Sequence, residues 1–293
     1  MLNSLLEDIL KTASIYENSI DSSEIFNSFN EVQELIKSAK KSKKPKVKKF
    51  KNGIVINGEF GSPEVAKILK KWEGKLPLVV SDPPYSGIVK DEWDQNIGAD
   101  DYVRWTKDML KYLKPKGSMY VWGCYGKPGN RTYFEYLSRV EKETGMTMQN
   151  VITWSKKRAY GTQYNYLHTS EYVAWLTNGE RPGKFKVPLL DIERGYAGYN
   201  KSYPALSKFL RRTNVWSVNE LFKGKIHPTE KPTKLAEIMI ETHTKKGDWV
   251  MDPFGGSGSS GEAAIKLGRK FILVERDPTY FKAIINRLEK LEK

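Results

Sequence analysis

Hydrophobic and polar positions follow two alternating periods along the chain from about residue 53 onward. Runs of mainly apolar residues, such as "LPLVVS" (76–81) and "KFILVE" (270–275), are typical of strands that are buried on both faces. Segments with apolar residues at helical spacing lie between such runs, for example at 62–72, with Ser62 as the N-cap and Pro63 at the first helical position, and at 278–291. This repeated alternation predicts an α/β fold with a mostly parallel central sheet and helices on both faces.

The first 36 residues predict two amphipathic helices ahead of this alternation. Apolar residues recur at helical spacing in two groups, which are Leu2, Leu5, Leu6, Ile9, Leu10 and Ala13, then Ile25, Phe26, Phe29, Val32, Leu35 and Ile36. We expect this helical N-terminal extension to dock on its own domain. Docking on a second copy of the chain is the alternative.

A lysine-rich segment, "KSAKKSKKPKVKKFK" (37–51), follows the extension. Its nine lysines, single proline and lack of acids predict a mobile linker. Two interpretations stay open for it. One is a solvated tether, and the other is an arm that contacts phosphates and adds affinity for nucleic acid without reading its sequence.

Regular periodicity fades between about residues 180 and 226, which are rich in Arg, Lys, Tyr, Asn, Gly and Pro. Regular periodicity returns after residue 226 with a helix, a strand, a second helix, a second strand and a final helix. The sequence therefore predicts four segments: the helical extension and linker (1–51), a first regular half (52–179), an irregular region (180–226) and a second regular half (227–293).

The formal net charge of the 293-residue chain is +14. Residues 1–36 hold seven acids and one lysine, whereas residues 37–51 carry +9 and the remainder carries +11. Because the body is basic even without the lysine run, a polyanionic partner such as nucleic acid is a fair inference. A soluble basic protein with no such partner is the alternative.

Cysteine and histidine usage excludes several kinds of site. A lone Cys124 leaves neither an internal disulfide nor a cysteine-rich zinc cluster, and His168, His227 and His243 are too scattered to predict a metal site. No run of about 20 apolar residues is present, so we expect no membrane span. The acidic start lacks the basic segment of a signal peptide, and the simplest location is the cytoplasm.

The segment "VMDPFGGSGSSGEAAIKLGRKFILVERDPTY" (250–280) predicts a strand, a glycine-rich turn, a helix and a second strand. Glycines allow a tight turn and close approach to a ligand, and the helix start offers free N–H groups. Glu275 ends the second strand 20 residues beyond Gly255, where a carboxylate can take both hydroxyls of a ribose. The unit predicts an adenosine-containing cofactor, with a flexible turn as the alternative.

The stretch "VVSDPPYSG" (79–87) ends another buried strand with an acid, two prolines and a tyrosine. In an open parallel sheet this turn lies at the same rim as the glycine turn. The carboxylate of Asp82 and the carbonyl of Pro83 are two acceptors beside the flat ring of Tyr85. Such a set can hold a planar ring that bears an NH2 group, whereas a structural turn with Tyr85 in the core is the alternative.

The two stretches together resemble the S-adenosylmethionine-dependent amino-methyltransferases of DNA. That family carries an Asp/Asn/Ser-Pro-Pro-aromatic catalytic motif and an Asp-Pro-Phe-x-Gly-Ser-Gly cofactor motif, matched here by "DPPY" and "DPFGGSG". The catalytic motif comes first, which is the circularly permuted order of the beta group, and "HPTEKP" (227–232) also matches that group. The resemblance covers roughly residues 52–291, with Ser259 where members often have threonine.

The resemblance implies a Rossmann-like methyltransferase fold with S-adenosylmethionine as cofactor. It makes 52–179 the catalytic half, 180–226 an irregular target-recognition insert and 227–293 the cofactor-binding half. The implied catalytic residues are Asp82, Pro83, Pro84 and Tyr85. The implied cofactor-binding residues are Asp252, Pro253, Phe254, Gly255, Gly256, Ser257, Gly258 and Glu275, with Lys231, Pro232 and Thr233 closing the pocket.

The expected function is methylation of adenine N6 at a specific site in double-stranded DNA, by base flipping and direct transfer. Cytosine N4 is the first alternative, followed by an RNA methyltransferase and a non-catalytic DNA-binding subunit. Basic residues of the insert are candidates for guanine or phosphate contacts, namely Lys184, Lys186, Arg211 and Arg212. A cognate restriction endonuclease and a second copy of the chain are left open as partners.

Overall fold

A nine-stranded mixed sheet forms the centre of the structure. The computed structural model describes residues 44–85, 96–125, 130–160, 164, 166–186, 189–191, 209–219 and 224–292. The strands in these ranges are β1 Lys46–Phe50, β2 Gly53–Asn57, β3 Leu76–Ser81, β4 Leu113–Gly123, β5 Thr147–Tyr160, β6 His168–Thr177, β7 Leu189–Asp191, β8 Phe209–Arg211, β9 Val215–Ser217, β10 Trp249–Asp252 and β11 Lys270–Glu275. The main sheet has the order β1-β2-β11-β10-β3-β4-β6-β5-β9, and β7 pairs with β8.

The middle of this sheet is parallel and its flanks are mixed. Strands β2, β11, β10, β3 and β4 run parallel to one another. Strand β1 is antiparallel to β2, and β6 is antiparallel to both β4 and β5. The chain moves outward from β3 to β4 and, in the opposite direction, from β10 to β11. Strands β3 and β10 therefore form a switch point, where open α/β sheets have their ligand crevice.

Helices cover both faces of the sheet. They are α1 Pro63–Leu69, α2 Ala99–Leu110, α3 Thr132–Thr144, α4 Thr233–His243, α5 Ser259–Lys266 and α6 Pro278–Glu289. As the sequence predicts, Pro63 opens α1 and the Ser62 side chain caps it by accepting from the backbone N–H of Val65. Asp277 caps α6 in the same way. The α/β prediction, with a mostly parallel sheet between helical layers, is confirmed.

Alternation along the central strands creates two cores. On one face, Val79 packs in a cluster with residues of α1, α2 and α3, including Met109. On the other face, Leu78 and Val80 pack in a cluster with residues of α4, α5 and α6, including Met239. Successive side chains of a strand point to opposite faces. Because both faces are covered, these strands are continuous apolar runs in the sequence.

The lysine-rich segment departs from its prediction as a linker. Residues 46–50 form β1, which pairs with β2 at the edge of the sheet, and a compact unit spans Pro45–Lys293. Phe50 packs on the ring of Phe271, and Lys48 pairs with Glu289. A charged strand is stable at this edge because one apolar residue anchors it while its lysines stay near solvent. The linker interpretation is therefore wrong for residues 46–50.

Two other predicted segments compare with the structure as follows. The two helices predicted within residues 1–36 lie outside the described residues. The region 180–226, predicted to be irregular, contains the short pair β7–β8 and strand β9, which extends the main sheet beside β5. Within the described part of the chain, no helix is both long and apolar enough to cross a membrane.

Candidate active site

The carboxyl ends of β3, β10 and β11 open into one cavity of about 370 Å³. Motifs 170 residues apart in the sequence meet there because β3 and β10 are neighbours in the sheet. Twelve of the residues singled out in the sequence line this cavity, namely Asp82, Pro83, Pro84, Tyr85, Lys231, Asp252, Pro253, Phe254, Gly255, Gly256, Ser257 and Glu275.

A rigid turn places Asp82 at the cavity rim. Strand β3 ends at Ser81, and Pro83 and Pro84 have no N–H group with which to continue the ladder. The hydroxyl of Tyr102, a buried residue of α2, donates to the carbonyl oxygen of Pro84 at 3.0 Å. The turn is therefore fixed both by its own rings and by the helix packed beneath it.

The carboxylate of Asp82 belongs to an ionic cluster formed by Asp82, Tyr85, Lys156, Glu171 and Lys231. Lys231 Nζ donates to both Asp82 oxygens, at 3.1 and 2.9 Å, and lies 3.0 Å from Glu171 Oε2. Tyr85 Oη donates to Asp82 Oδ1 at 2.5 Å and accepts from Lys231 Nζ at 2.9 Å. Lys156 pairs with the other oxygen of Glu171. Glu171 is thus paired with two lysines, and the buried Lys231 is paired with two carboxylates.

Burial and ion pairing act against each other on the pKa values of this cluster. Burial works to lower the pKa of Lys231, but Asp82 and Glu171 together raise it above its ordinary value. Burial works to raise the pKa of Glu171, and Lys231 and Lys156 hold it below its ordinary value. Burial, followed by the two carboxylates, raises the pKa of Tyr85. At neutral pH the cluster therefore holds a charged Lys231, an ionised Glu171 and a neutral Tyr85.

The ring of Tyr85 is more covered than the sequence suggests. It lines the cavity, yet the residue is only 8% exposed. Lys231 Nζ lies 4.9 Å from the centroid of the Tyr85 ring and 5.4 Å from that of Trp122. A cation over an aromatic face is attracted by the ring quadrupole. In this arrangement Lys231 covers part of the flat face that was predicted to hold a planar ligand.

The glycine turn after β10 requires glycine at several positions. Gly256 and Gly258 have φ values of 49° and 79°, which few L side chains adopt. The N–H of Gly255 donates to Val274 O at 2.7 Å, and a Cβ on Gly255 would lie 3.1 Å from the side chain of Ile284. The turn is therefore pressed against β11 and α6 and leaves its backbone facing the cavity.

Two acids on this side of the cavity are held by neutral donors. Glu275 accepts from the backbone N–H groups of Gly256 and Asp277, each at 2.7 Å. Asp252 accepts from Ser260 Oγ at 2.5 Å and from a backbone N–H. Burial raises the pKa of Glu275 above its ordinary value and raises that of Asp252 to about 7. Since carboxylate oxygens accept more than one donor, Glu275 keeps capacity for hydroxyl groups in the cavity.

Arg287 of α6 connects the two sides of the site. It pairs with Glu230 at 2.6 Å and with Glu262 at 2.5 Å, and it donates to Ser257 O at 3.1 Å. Glu230 directly precedes Lys231, while Ser257 belongs to the glycine turn. A single guanidinium therefore fixes the segment that carries Lys231 against the turn that the sequence assigns to the cofactor.

Three predicted cofactor residues lie behind the cavity wall. Pro232 precedes the first residue of α4, Thr233 Oγ1 accepts from Arg287 at 3.1 Å, and Gly258 packs against Ile284. Lys231 does line the cavity, but its ammonium lies against Asp82 rather than against the glycine turn.

The basic residues predicted to contact nucleic acid make contacts elsewhere in the fold. Lys184 Nζ donates to Thr244 O at 2.7 Å, and Lys186 pairs with Glu241 at 2.5 Å. Arg212 is half-buried, and the side chain of Arg211 lies outside the described residues. None of the three described side chains is among the cavity residues. Their contact with nucleic acid stays a prediction.

Cys124 and His243 have structural surroundings in the described part of the chain. Cys124 is half-buried and packs against the core on the α4 side. His243 is buried, with ring nitrogens 2.9 Å from Tyr120 Oη and from Lys184 O, and burial lowers its pKa to about 4. Among the described residues, no group of three His, Cys, Asp or Glu side chains could hold a metal ion.

Sequence reasoning missed Glu171 and Lys156. Glu171 of β6 is two residues before buried Val173, and Lys156 of β5 is two residues after buried Trp154, which is paired with Glu171 in the sheet. Residues i and i+2 of a strand share a face, so both charges continue a buried face into the site. The signal in the sequence was an acid two residues from a buried position of the same strand, which puts its side chain on the buried face. The cavity is also lined by Phe60, Trp105, Trp122, His227 and Asp277.

Comparisons with known proteins find methyltransferases both by sequence and by fold. The type II methyltransferase M2.DpnII of Streptococcus pneumoniae is 28% identical over 249 residues, covering 76% of this chain and 86% of that protein. M.HpaI of Haemophilus parainfluenzae is 27% identical, covering 76% and 71%. The structure resembles the M1.HpyAVI–SAM complex (TM-score 0.56, 23% identity, 80% and 98% coverage) and the cytosine-N4-specific PvuII DNA methyltransferase (0.61, 22%, 82% and 91%).

The family match covers strands β3 to β11 and both loops of the cavity, whereas β1 and β2 lie outside it. Residues 76–286 match the model of the N6_N4_Mtase family, described as DNA methylase. This range begins at β3, ahead of the Asp82 turn, and ends within α6, beyond the glycine turn. The chain therefore belongs to the N6/N4 family of DNA methylases.

Proposed function

We propose that this protein transfers a methyl group from S-adenosylmethionine to the exocyclic N6 amine of adenine in double-stranded DNA. The observation that carries the proposal is that Asp82 and Glu275 line one cavity, at the carboxyl ends of β3 and β11. Membership of the DNA methylase family supports the reaction type. The M1.HpyAVI–SAM complex, a similar structure, supports the choice of donor.

The donor side of the cavity suits an adenosine-containing cation. In this proposal Glu275 accepts the ribose hydroxyls, and the bare backbone at Gly255 and Gly256 permits close approach of a ligand. The rings of Trp105 and Phe254, 5.0 Å apart, supply an apolar wall. When bound, S-adenosylmethionine supplies an electrophilic methyl group on a positively charged sulfur. The carboxylates of Asp252 and Glu275 place negative charge on this side of the cavity.

The acceptor side suits an exocyclic amine. An adenine inside a duplex is out of reach of Asp82, so the base must rotate out of the helix. The Asp82 carboxylate and the Pro83 carbonyl then accept the two amine hydrogens, which localises the lone pair on nitrogen. Stacking on Tyr85 contributes on the order of 1–3 kcal/mol. These residues act by positioning and electrostatics, with no covalent enzyme intermediate.

DNA as the partner is also supported by charge. The chain carries a net charge of +14, which favours a polyanion. In this proposal 52–179 is the catalytic half, 180–226 contacts the target through residues such as Lys184, Lys186, Arg211 and Arg212, and 227–293 is the cofactor half. A paired endonuclease or a second copy of the chain would extend this scheme without changing the chemistry.

Adenine is favoured over cytosine because, in the family that the sequence resembles, Asp-Pro-Pro-Tyr is associated with adenine and Ser-Pro-Pro-Tyr with cytosine N4. The test is to incubate unmethylated plasmid with the protein and methyl-labelled S-adenosylmethionine, then digest the DNA and identify the labelled nucleoside. We expect N6-methyldeoxyadenosine. Label in N4-methyldeoxycytidine would contradict the choice of base, and label appearing only with RNA would contradict the choice of substrate.

DNA binding measured beside the labelling distinguishes an enzyme from a protein that only binds DNA, and a surface variant serves as the control. Lys111 is an exposed lysine that directly follows α2 and pairs with Asp108, and Lys111→Met should leave the labelling unchanged. Binding of DNA with no label in any nucleoside would contradict the proposal and favour a non-catalytic subunit. Mapping the labelled positions then gives the target duplex.

A further inference from the structure

We infer that Glu171 is a positioning residue, which holds Lys231 so that Asp82 can exchange the lysine ammonium for the amine of the target base. The inference rests on the proposed function and extends it to a residue outside both sequence motifs. It starts from the ionic cluster, in which Lys231 contacts both Asp82 and Glu171.

The acceptor that the target amine needs is already occupied in this structure. Lys231 Nζ lies 3.1 and 2.9 Å from the two oxygens of Asp82. Lys231 Nζ also lies over the ring of Tyr85, at 4.9 Å from its centroid. An amine and a base stacked on this ring would therefore compete with the ammonium for Asp82 and for the space beside Tyr85.

Two further partners of Lys231 lie as close to its ammonium as Asp82 does, and they remain available when the ammonium leaves Asp82. Glu171 Oε2 lies 3.0 Å from Lys231 Nζ, and Tyr85 Oη lies 2.9 Å from it. An unpaired ammonium in a buried site is strongly unfavourable. With Glu171 present, the ammonium can move off Asp82 and remain paired, so the exchange does not create an isolated buried charge.

Glu171 is itself firmly held in the fold. Its side chain is 12% exposed and projects from β6, and Lys156 of the neighbouring β5 pairs with its second oxygen. Tyr85 Oη lies 3.2 Å from the oxygen that faces Lys231. The carboxylate is thus a fixed anchor, while the Lys231 side chain is the flexible member of the pair.

Loss of the Glu171 charge should leave Lys231 bound to Asp82. Within the described part of the cluster, Asp82 would then be the one carboxylate that contacts Lys231. The ammonium would compete with the target amine more strongly than before. Removing Lys231 as well should remove the competitor, so that the state of Glu171 no longer matters for Asp82.

The test compares wild type, Glu171→Gln, Lys231→Met and the double variant by steady-state methylation of the mapped target duplex. Glu171→Gln should lower kcat/KM for DNA on the order of ten- to a hundredfold, with the dissociation constant of the cofactor within about twofold, because Glu171 does not line the cavity. The double variant should recover to the level of Lys231→Met alone. Losses that multiply would overturn the inference.

DNA affinity distinguishes positioning by Glu171 from a purely structural role, because a structural role would not change the preference for adenine. The affinity of each variant, with S-adenosylhomocysteine bound, is measured for the target duplex and for the same duplex with purine in place of the target adenine, which lacks the amine. The preference for adenine should be present in wild type, lost in Glu171→Gln and regained in the double variant. Retention of the preference in Glu171→Gln would overturn the inference.

Controls keep the inference separate from the proposed function. Should Glu171→Gln not fold, the pair Lys156→Met and Glu171→Gln removes one charge of each sign and should show the same loss, restored by adding Lys231→Met. Lys111→Met should behave as wild type. Absence of DNA methylation by the wild-type protein overturns the proposed function and this inference together. An active wild type without recovery in the double variant overturns the inference alone.

Discussion

The two sides of the cavity hold buried acids in opposite ways. On the Asp82 side, Glu171 of β6 does not itself line the cavity; it is paired with two lysines, and its pKa lies below the ordinary value. Beside β10 and β11, Asp252 and Glu275 are held by a hydroxyl and by backbone N–H groups, and burial raises both pKa values, that of Asp252 to about 7. On the Asp82 side lysine ammonium groups offset the negative charge of the acid. On the glycine side the acids accept hydrogen bonds from a hydroxyl and from backbone N–H groups.

This difference matches the charge of what each side is proposed to bind. Negative charge without a cationic partner favours a positively charged ligand, as a sulfonium donor is. A carboxylate already paired with lysine instead exchanges one N–H donor for another, which suits a neutral amine. The charges of the cavity therefore favour a cation on the glycine side and an amine on the Asp82 side.

The largest expected effect comes from Asp82. Asp82→Ala removes a proposed acceptor for the amine and should lower methyl transfer on the order of a thousandfold. The affinity for S-adenosylmethionine, measured by calorimetry, should change less than about threefold because the glycine side is intact. Comparable loss of both quantities would show that the two sides do not act separately.

Arg287 should affect both sides at once. Arg287→Met leaves the buried Glu230 without its cation and Glu262 paired with Lys266 alone, and should lower the free energy of unfolding by about 2–3 kcal/mol. Cofactor affinity and kcat should fall together, since Arg287 fixes both the Lys231 segment and the glycine turn. Denaturant unfolding checks the stability, with the exposed Arg104→Met as a control expected to change it by about 0.5 kcal/mol or less.

Glu275 tests the glycine side alone. Glu275→Gln replaces a charged acceptor by a neutral one and should weaken S-adenosylmethionine binding about tenfold, or about 1.4 kcal/mol. At saturating cofactor, kcat should stay near the wild-type value because Asp82 is untouched. A fall in kcat with unchanged affinity for S-adenosylmethionine would contradict this prediction, because it would mean that Glu275 acts on methyl transfer rather than on cofactor binding.

The raised pKa of Asp252 gives cofactor binding a dependence on pH. Above about pH 7 the carboxylate is ionised and attracts a cation, whereas below about pH 7 it is protonated unless a cation is bound. The affinity for S-adenosylmethionine should therefore fall several-fold as the pH drops through this value, by titration calorimetry between pH 6 and 8. Asp252→Asn should bind weakly with no such dependence, and an unchanged dependence would assign it to another group.

The smallest effect is expected at Ser81, which directly precedes Asp82. Its hydroxyl is buried and has no hydrogen-bond partner among the described residues. Ser81→Ala removes an unsatisfied group, so the free energy of unfolding should be unchanged or rise by up to about 1 kcal/mol. Methyl transfer should stay at the wild-type level, and a marked loss would mean that this hydroxyl contributes to the Asp82 turn.

The sequence predicts the parallel core well because local pattern and burial agree there. Strands such as β3 and β11 are buried on both faces and appear as uninterrupted apolar runs, and α1 begins at a predicted cap. The glycine turn is also recognisable, since Gly256 and Gly258 have conformations that favour glycine. Edge strand β1 is missed because its lysines conceal the anchoring contact of Phe50.

The ionic cluster could not be predicted from the sequence. Asp82 is separated from Lys231 by 149 residues, and Tyr85 from Glu171 by 86, so their contact depends on strand order rather than on spacing. Lys231 was assigned with the cofactor through its neighbours in "HPTEKP". Its ammonium reaches Asp82 because the β3 and α4 segments pack together, which no local pattern specifies.

The most direct measurement of the central claim is a crystal structure with S-adenosylhomocysteine and the mapped target duplex. We expect the amine nitrogen of an extrahelical adenine at about 3 Å from Asp82 and from the Pro83 carbonyl, with the ribose on Glu275 and Lys231 retained on Glu171. A target base bound away from Asp82, or a cofactor bound away from Glu275, would contradict a shared site for donor and amine.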